Sequence, residues 1–255
     1  MVFFYLLFFI LGSVVGSFLN VVCDRMTRRR SILGRSHCDW CRTTLSTVDL
    51  VPIVSFVSLG GRCRTCHRSI SVQYPLVETV TGLAFAASFY AQASGGILDL
   101  AALLYWLFIL SIFIIVAVVD LKFSQIPTTL VFLAALVALF YDYFYLSSGD
   151  FVIWVVAAFL LALAFLAVAV VTFGRGMGSG DIPLAFLIGL FLGWPKALEA
   201  IFLAFLGGAI AAILLLVLGK KKFGQTIPFG PFLVFAATVS LFWGQELLNW
   251  YLSFF

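Results

Sequence analysis

The run AALLYWLFILSIFIIVAVVD, Ala101–Asp120, contains nineteen uncharged residues and then an aspartate. A helix of that length rises about 28 Å, which matches a bilayer's hydrocarbon core of about 30 Å. The whole chain has this character, because 64% of its 255 residues are hydrophobic, 10% are charged and the mean hydropathy is +1.17. A soluble domain is near half apolar and a quarter charged. The composition therefore excludes an ordinary soluble domain and indicates an integral membrane protein.

Eight apolar segments predict an all-α polytopic membrane protein with about eight transmembrane helices. The segments are residues 2–22, 74–93, 99–119, 126–146, 151–173, 181–194, 197–218 and 228–248. They lack the alternation of polar and apolar residues found in the strands of a membrane barrel. The sixth is short, and Gly193-Trp194-Pro195 separates it from the seventh, so a re-entrant hairpin is the alternative there. The first ends without a small-residue cleavage site, which predicts a retained helix and not a signal peptide.

The basic residues predict the orientation of these segments. With the N-terminus outside, fourteen of the fifteen Lys and Arg residues fall on the cytoplasmic side, nine of them in the loop 23–73. A re-entrant sixth segment would leave twelve on that side, so the eight-span arrangement satisfies the positive-inside rule better. The net charge of +4 then reflects topology and contact with anionic membrane lipid. We expect Arg28–Arg30 to meet lipid headgroups, and no basic tail interleaved with aromatic residues suggests a nucleic-acid partner.

The eleven acidic residues divide into three sets under this topology. Five lie at or near the outer ends of segments, where solvation is expected: Asp99, Asp142, Asp150, Glu199 and Glu246. Asp24, Asp39 and Asp49 belong to the cytoplasmic loop. Glu78, Asp120 and Asp181 lie at inner helix ends.

Asp120 and Asp181 stand at the same depth, at the cytoplasmic edge. Asp120 ends a long apolar run, and Asp181 follows the glycine-rich stretch GRGMGSGD, Gly174–Asp181. Two interfacial helix caps would explain both acids. Two carboxylates at one depth are also what an aspartic protease needs, because one ionises, the other keeps a proton, and the ionised one activates water.

The loop between the first two segments carries a predicted metal site. Cys38-x2-Cys41 and Cys63-x2-Cys66 supply four thiolates at the spacing of a tetrahedral Zn²⁺ site. Disulfides are the alternative, but a cytoplasmic loop lies in a reducing compartment. Four cysteines leave no open coordination position, so the zinc would be structural. His37 and His67 adjoin the cysteines and are expected to be surface residues, whereas Cys23 is expected to be a buried thiol.

Several motifs together resemble those of the type IV prepilin peptidases over nearly the whole chain. In order they are GSFLNVV (Gly16–Val22), the double CxxC, YPLVETVTG (Tyr74–Gly82), VVDLKFSQIP (Val118–Pro127), GMGSGD (Gly176–Asp181) and IPFGPFL (Ile227–Leu233). Two positions depart from the family's pattern. Thr128 stands where an acid often follows the first motif's proline, and Pro183 stands where a lysine often follows the second motif.

The resemblance implies an intramembrane aspartic endopeptidase of the GxGD type in the bacterial cytoplasmic membrane. Such enzymes cut the leader from prepilins and pseudopilins at the cytoplasmic face, and many methylate the new N-terminal amine with S-adenosylmethionine. The resemblance gives the catalytic roles to Asp120 and Asp181 and the zinc to the four cysteines. Two further sets of residues receive roles as expectations. Glu78 would bind S-adenosylmethionine or the new amine, with an ion pair to a loop arginine as the alternative, and a supporting loop would be formed by Gly176, Gly178 and Gly180, whose missing Cβ atoms could admit a substrate strand.

This interpretation divides the chain into a first helix (1–22), a cytoplasmic zinc-binding loop with four cysteine ligands (23–73) and a seven-helix membrane domain with the peptidase site (74–255).

Other classes of protein fit less well. A transporter should carry its acids at the bilayer midplane within inverted repeats, and none is evident. A zinc protease would need a motif such as HExxH, which is absent. A non-catalytic scaffold would leave Asp120 and Asp181 replaceable.

Overall fold

A computed structural model describes residues 2–27, 31, 33–94, 98–174, 176–220 and 227–253. Within these ranges the regular structure is helical, as predicted, apart from two isolated bridges in the loop after the first helix. The helices are α1 (Val2–Thr27), α2 (Val54–Ser58), α3 (Gln73–Ser94), α4 (Leu100–Phe123), α5 (Thr128–Tyr145), α6 (Ser148–Val171), α7 (Asp181–Leu192), α8 (Lys196–Val217) and α9 (Gly230–Leu252). A 3₁₀ turn at Val48–Leu50 precedes α2. Some basic residues of the positive-inside count lie outside the described residues, namely Arg28–Arg30, Arg175, Lys221 and Lys222.

Six of the described helices are long and apolar enough to cross a bilayer: α1, α4, α5, α6, α8 and α9. The chain is therefore a multi-pass membrane protein, although the predicted number of eight spans is not confirmed. Helix α3 has 22 residues but is less apolar. Helix α7 has 12 residues and rises about 18 Å, too short to cross the hydrocarbon core alone.

The chain forms two compact units, residues 1–115 and 116–255. In the first unit α1 packs antiparallel to α3 through glycines. A Cβ atom at Gly12 would lie 2.6 Å from the carbonyl oxygen of Thr81, and one at Gly16 would lie 2.8 Å from Cα of Glu78. Small residues let two membrane helices approach this closely. A core of Phe85, Phe89, Leu103 and Leu107 extends the contact beyond the glycines.

The second unit is arranged around the short helix α7. Its apolar residues are buried on nearly every side, and it packs against α5, α6, α8 and α9. A helix that is hydrophobic all round is a core helix. The chain thereby encloses α7 and fixes Asp181, its first residue, from several directions.

Two acids predicted to be solvated are not, and these predictions were wrong. Asp142 is fully buried on the face of α5 that carries Val131, Ala134 and Ala138, and within the described ranges neither of its carboxylate oxygens has a hydrogen-bond partner. Glu199 is half-buried and accepts a 3.2 Å hydrogen bond from the Ser240 hydroxyl. Both lie on helix faces covered by neighbouring helices, which the position of a residue near a segment end does not reveal. The remaining three, Asp99, Asp150 and Glu246, are exposed as predicted.

Candidate active site and metal centre

Asp120 lies one turn before the end of α4 and is 5% exposed. Its Oδ2 accepts a 2.9 Å hydrogen bond from the backbone N–H of Gly230, the first residue of α9. The N–H groups of a first helical turn have no acceptor within the helix, and the helix dipole favours a negative charge there. A Cβ atom at position 230 would lie 2.7 Å from the same oxygen. Glycine therefore lets the start of α9 approach the carboxylate of Asp120.

Asp181 is the first residue of α7 and is also 5% exposed. Its Oδ2 accepts a 3.0 Å hydrogen bond from the N–H of Gly178, and its own N–H donates to the Gly178 carbonyl at 3.1 Å. The two bonds close a tight turn immediately before the helix. The departure at Pro183 is compatible with this arrangement, because proline is tolerated in a helix's first turn, where the N–H has no partner within the helix.

The segments that carry the two aspartates pack directly against each other. Ile126, six residues after Asp120, covers Gly180, where a Cβ atom would lie 2.7 Å from Cβ of Ile126. The carboxylates of Asp120 and Asp181 also interact electrostatically. The structure therefore brings together the two acids that the sequence placed at one depth.

Asp181 is recessed from the end of the neighbouring helix α6. Gly189 of α7 faces Ala158, and Gly193, which follows α7, faces Trp154. This antiparallel register places Asp181 level with Leu166, five residues before α6 ends at Val171. At 1.5 Å per residue the recess is about 8 Å. The chain after α6 turns back to deliver Asp181 within the helical bundle and not at its rim.

The three glycines of the predicted supporting loop make room for groups of the protein itself. A Cβ atom at Gly176 would meet the Thr172 side chain at 2.9 Å, one at Gly180 would meet Ile126, and one at Gly178 would lie 3.2 Å from Oδ2 of Asp181. None of the three has a positive φ. They support the turn by close approach, and the sites at Gly176 and Gly180 are filled by protein and not open to a substrate strand.

The four cysteines of the loop converge on one point. Their Sγ atoms lie within 4.8 Å of one another, with Cys38 and Cys66 at 3.8 Å and Cys41 and Cys63 at 4.0 Å. Tetrahedral coordination with bonds of about 2.3 Å requires separations of about 3.8 Å, whereas a disulfide needs about 2.05 Å. The set could therefore hold a metal ion. His37 and His67 are exposed and outside the cluster, and Cys23 is buried, as predicted.

The two CxxC turns have the same backbone geometry. The residue after the second cysteine is Arg42 in one turn and His67 in the other, with φ of 56° and 55°. In each turn its N–H donates a 3.0 Å hydrogen bond to the carbonyl of the first cysteine. Each turn therefore presents its two thiols to the same side, which accounts for the convergence of all four.

Polar contacts outside the cysteines stabilise the loop. Asp49 accepts a 2.6 Å hydrogen bond from the Ser46 hydroxyl and forms a 2.9 Å ion pair with Arg64. The hydrogen bond from Ser46, followed by Arg64, lowers the pKa of Asp49. Arg68 lies over the ring of Trp40 at 4.5 Å. These contacts link the two CxxC turns to each other and to the chain between them.

Glu78 lies in the second turn of α3 and is 8% exposed. Its Oε2 accepts a 2.7 Å hydrogen bond from the N–H of Ile53, and its Cα would lie 2.8 Å from a Cβ atom at Gly16 of α1. It therefore joins α1, α3 and the loop. A role in binding a cofactor or an amine stays a prediction.

Gly230 and Ile126 were not predicted as site residues. Both stand inside motifs noted in the sequence, IPFGPFL and VVDLKFSQIP, and this is the only signal that could have identified them. Pro228 and Pro231, the two prolines of IPFGPFL, flank the start of α9 and mark it.

Comparison with known proteins gives consistent matches along the chain. Residues 10–92 match the bacterial peptidase A24 N-terminal domain, and residues 107–213 match the type IV leader peptidase family. The prepilin leader peptidase/N-methyltransferase of Aeromonas hydrophila is 31% identical over 98% of this chain and 94% of its own length. The proteins of the same name from Bacillus subtilis and Pseudomonas aeruginosa are 34% and 30% identical, over 96% of this chain and 96% and 92% of their own lengths. No solved structure matches the chain.

Proposed function

The chain belongs to the type IV leader peptidase family, and we propose that it removes the leader peptide from prepilin-like or pseudopilin-like precursors. The observation that carries this proposal is the pair of buried carboxylates, Asp120 and Asp181, on segments that pack directly against each other. Each accepts an N–H from a backbone segment at a helix start. Buried carboxylates whose charges interact cannot both ionise easily, which suits an aspartic protease.

In the proposed mechanism one aspartate is ionised and the other carries a proton, with water between them. The ionised carboxylate takes a proton from the water as the oxygen attacks the scissile carbonyl carbon. The protonated carboxyl donates a hydrogen bond to the developing oxyanion. As the tetrahedral intermediate collapses, the C–N bond breaks and the carboxyl that took the proton from water passes it to the leaving amine nitrogen. The N–H groups of Gly230 and Gly178 hold the two carboxylates in place during this exchange. The recess of about 8 Å keeps the reaction among helices and away from bulk solvent.

The substrate we infer is a transmembrane helix preceded by a charged leader, with an apolar first residue after the cut. We place the active site at the cytoplasmic face of the inner membrane, because the basic residues fall on that side in the predicted topology. The four cysteines would hold a structural Zn²⁺, since tetrathiolate sites with this spacing are closed to substrate. Membrane lipid is the other expected partner.

We also propose that the chain methylates the new N-terminal amine, since its relatives are named N-methyltransferases as well as prepilin leader peptidases. S-adenosylmethionine is the methyl donor that we infer. The sequence has no GxGxxG within a strand-helix-strand unit, so the cofactor would not occupy a standard dinucleotide-type pocket. The zinc-bearing loop is the region that we assign to this activity, and Glu78 at its junction with α3 is the residue to test first.

The test of the peptidase proposal is the pair of variants Asp120→Asn and Asp181→Asn. Asparagine keeps the size and can still accept an N–H but cannot cycle a proton, so cleavage of a prepilin in detergent should fall by at least about 10³-fold in each. The matched control is Asp150→Asn, an exposed carboxylate at the start of α6, which should cleave at the normal rate. Normal cleavage by either active-site variant would exclude an aspartic mechanism at this pair.

A further inference from the structure

The loop between α1 and α3 exposes apolar side chains where a water-facing loop would carry polar ones. Val54 and Val57 on α2 are 63% and 71% exposed. Val51 and Leu50, just before α2, are exposed as well. Exposed apolar surface that is contiguous in this way marks an interaction site.

The hydrogen bond of Glu78 fixes the level of α2 along the membrane helices. Glu78 stands beside Gly16 and Ser17 of α1, because a Cβ atom at Gly16 would lie 2.8 Å from Cα of Glu78. The N–H that Glu78 binds belongs to Ile53, the residue immediately before α2. Helix α2 therefore begins at the level of Ser17 and not beyond the end of α1.

Charged residues mark the aqueous end of the α1–α3 pair. Asp24 accepts a 2.7 Å hydrogen bond from the Tyr74 hydroxyl, and Arg25 follows it near the end of α1. Ser17 precedes Asp24 by seven residues, which is about 10 Å along the helix axis. The start of α2 thus lies about 10 Å on the apolar side of these charges.

Helix α2 has one side covered by protein and one side uncovered. The ring of Phe56 packs against Gly61, where a Cβ atom would lie 3.0 Å from Cζ of Phe56. Val54 and Val57 are exposed on the uncovered side. Exposed apolar residues of the neighbouring membrane helices stand at similar levels, including Phe18 of α1 and Leu76 of α3.

We propose that residues 51–58 form an interfacial segment that inserts Val54 and Val57 into the headgroup and acyl-chain boundary of the bilayer that α1 crosses. Lipid is the occupant that fits, because the exposed valines continue the lipid-facing surface of the membrane helices at the same depth. Cys63 follows Ser58 by only five residues, so insertion would hold the metal centre at the bilayer surface. Glu78 acts here as a positioning residue, since it fixes where the segment enters.

The experiment places the full-length protein in nanodiscs, one chain in each, with a phospholipid that carries a photoactivatable diazirine in its acyl chain. After illumination and proteolysis, fragment-ion mass spectrometry locates the lipid adducts. We expect adducts on residues 51–58 as well as on α1 and α3, and none on the first CxxC turn, residues 37–44. A surface that docks a second copy would have no partner in these nanodiscs, would face water and would remain unlabelled.

Two charge variants test whether the labelling of residues 51–58 depends on insertion of Val57. Val57→Lys should reduce the adducts on residues 51–58 at least about fivefold, because a charged side chain at this boundary opposes insertion. Leu33→Lys adds the same charge at an 87% exposed residue elsewhere in the loop and should leave them unchanged. One bound metal ion per chain in each variant verifies that the loop is folded. Labelled α1 and α3 beside unlabelled residues 51–58 in the unmodified protein would overturn the proposal, as would Val57→Lys protein that is fully metal-loaded and labelled as before.

Discussion

Asp120 and Gly230 are 110 residues apart in the chain, yet they share a 2.9 Å hydrogen bond at the centre of the candidate site. Gly230→Ala keeps the N–H but adds a methyl group 2.7 Å from Oδ2 of Asp120, so the carboxylate must shift. Displacements of that order in an active site reduce rates by about 10²-fold, and we expect kcat for leader cleavage to fall by roughly that factor. The measurement is a cleavage time course in detergent.

The control for Gly230→Ala is Gly207→Ala in the neighbouring helix α8. A Cβ atom there meets only Cδ1 of Phe232, at an ordinary 3.8 Å, so cleavage should be unchanged. Equal activity of the two variants would show that the start of α9 does not position Asp120.

Two substitutions of Glu78 distinguish a structural role of its carboxylate from a chemical one. Glu78→Ala removes the acceptor of the Ile53 N–H, and we expect amide hydrogen exchange at residues 53–58 to accelerate about tenfold, the equivalent of about 1.4 kcal/mol. Glu78→Gln keeps an acceptor oxygen and should restore slow exchange. If Glu78→Gln exchanges slowly but no longer transfers a methyl group, the carboxylate takes part in binding the cofactor or the amine.

The sequence predicted the site residues that stand in local motifs and missed those that depend on tertiary contact. Asp120, Asp181 and the cysteines could be selected because a carboxylate beside an apolar run and a CxxC pair are visible over a few residues. Gly230 could not, since nothing in IPFGPFL states which side chain its N–H meets. Asp142 was misjudged for the same reason: its place near a helix end suggested solvent, but the fold buries it.

Among the described helices, α1 and α3 form the most extensive contact, and glycines lie within it. Gly16→Ala would place a methyl group 2.8 Å from Cα of Glu78 and 2.9 Å from Oγ1 of Thr81. Backbone atoms of α3 cannot move aside as a flexible side chain can, so overpacking should cost about 1–3 kcal/mol. For a chain of this size that lowers the Tm by about 2–12 °C, measurable by intrinsic fluorescence in detergent.

Gly149→Ala is the matched control for this helix pair. Gly149 lies in the first turn of α6, and a Cβ atom there meets nothing within 4 Å. The Tm of the Gly149→Ala protein should equal or slightly exceed that of the unmodified protein, because alanine is a better helix former than glycine. A Tm of Gly16→Ala that matches this control would mean that α1 and α3 are not tightly packed.

Helix α7 shows how far hydropathy alone describes this fold. The sequence marked residues 181–194 as a short apolar segment and left a span and a re-entrant hairpin open. The structure gives a 12-residue helix surrounded by α5, α6, α8 and α9. Hydropathy measures whether a segment avoids water and cannot distinguish lipid from protein as the surroundings. The recess of Asp181 follows from this enclosure, and it could be found only from helix packing.

In the molecule as a whole, the predicted zinc ligands and the predicted catalytic aspartates belong to different compact units. The four cysteines lie in residues 1–115, and Asp120 and Asp181 lie in residues 116–255. Cys63→Ser removes one thiolate of the cluster, so the chain should lose its bound metal and trypsin should cut the loop at arginines such as Arg42 and Arg62. Because no cysteine lies in the second unit, leader cleavage should stay within about fivefold of normal, whereas methyl transfer should be lost with the loop.

Asp181→Asn should show the reverse, with no cleavage but full methyl transfer to a peptide that has already been cut. Each variant is assayed with both substrates, and metal analysis accompanies each assay. Loss of both activities in both variants would mean that the two reactions depend on a single site, and the assignment of methylation to the loop would then be wrong.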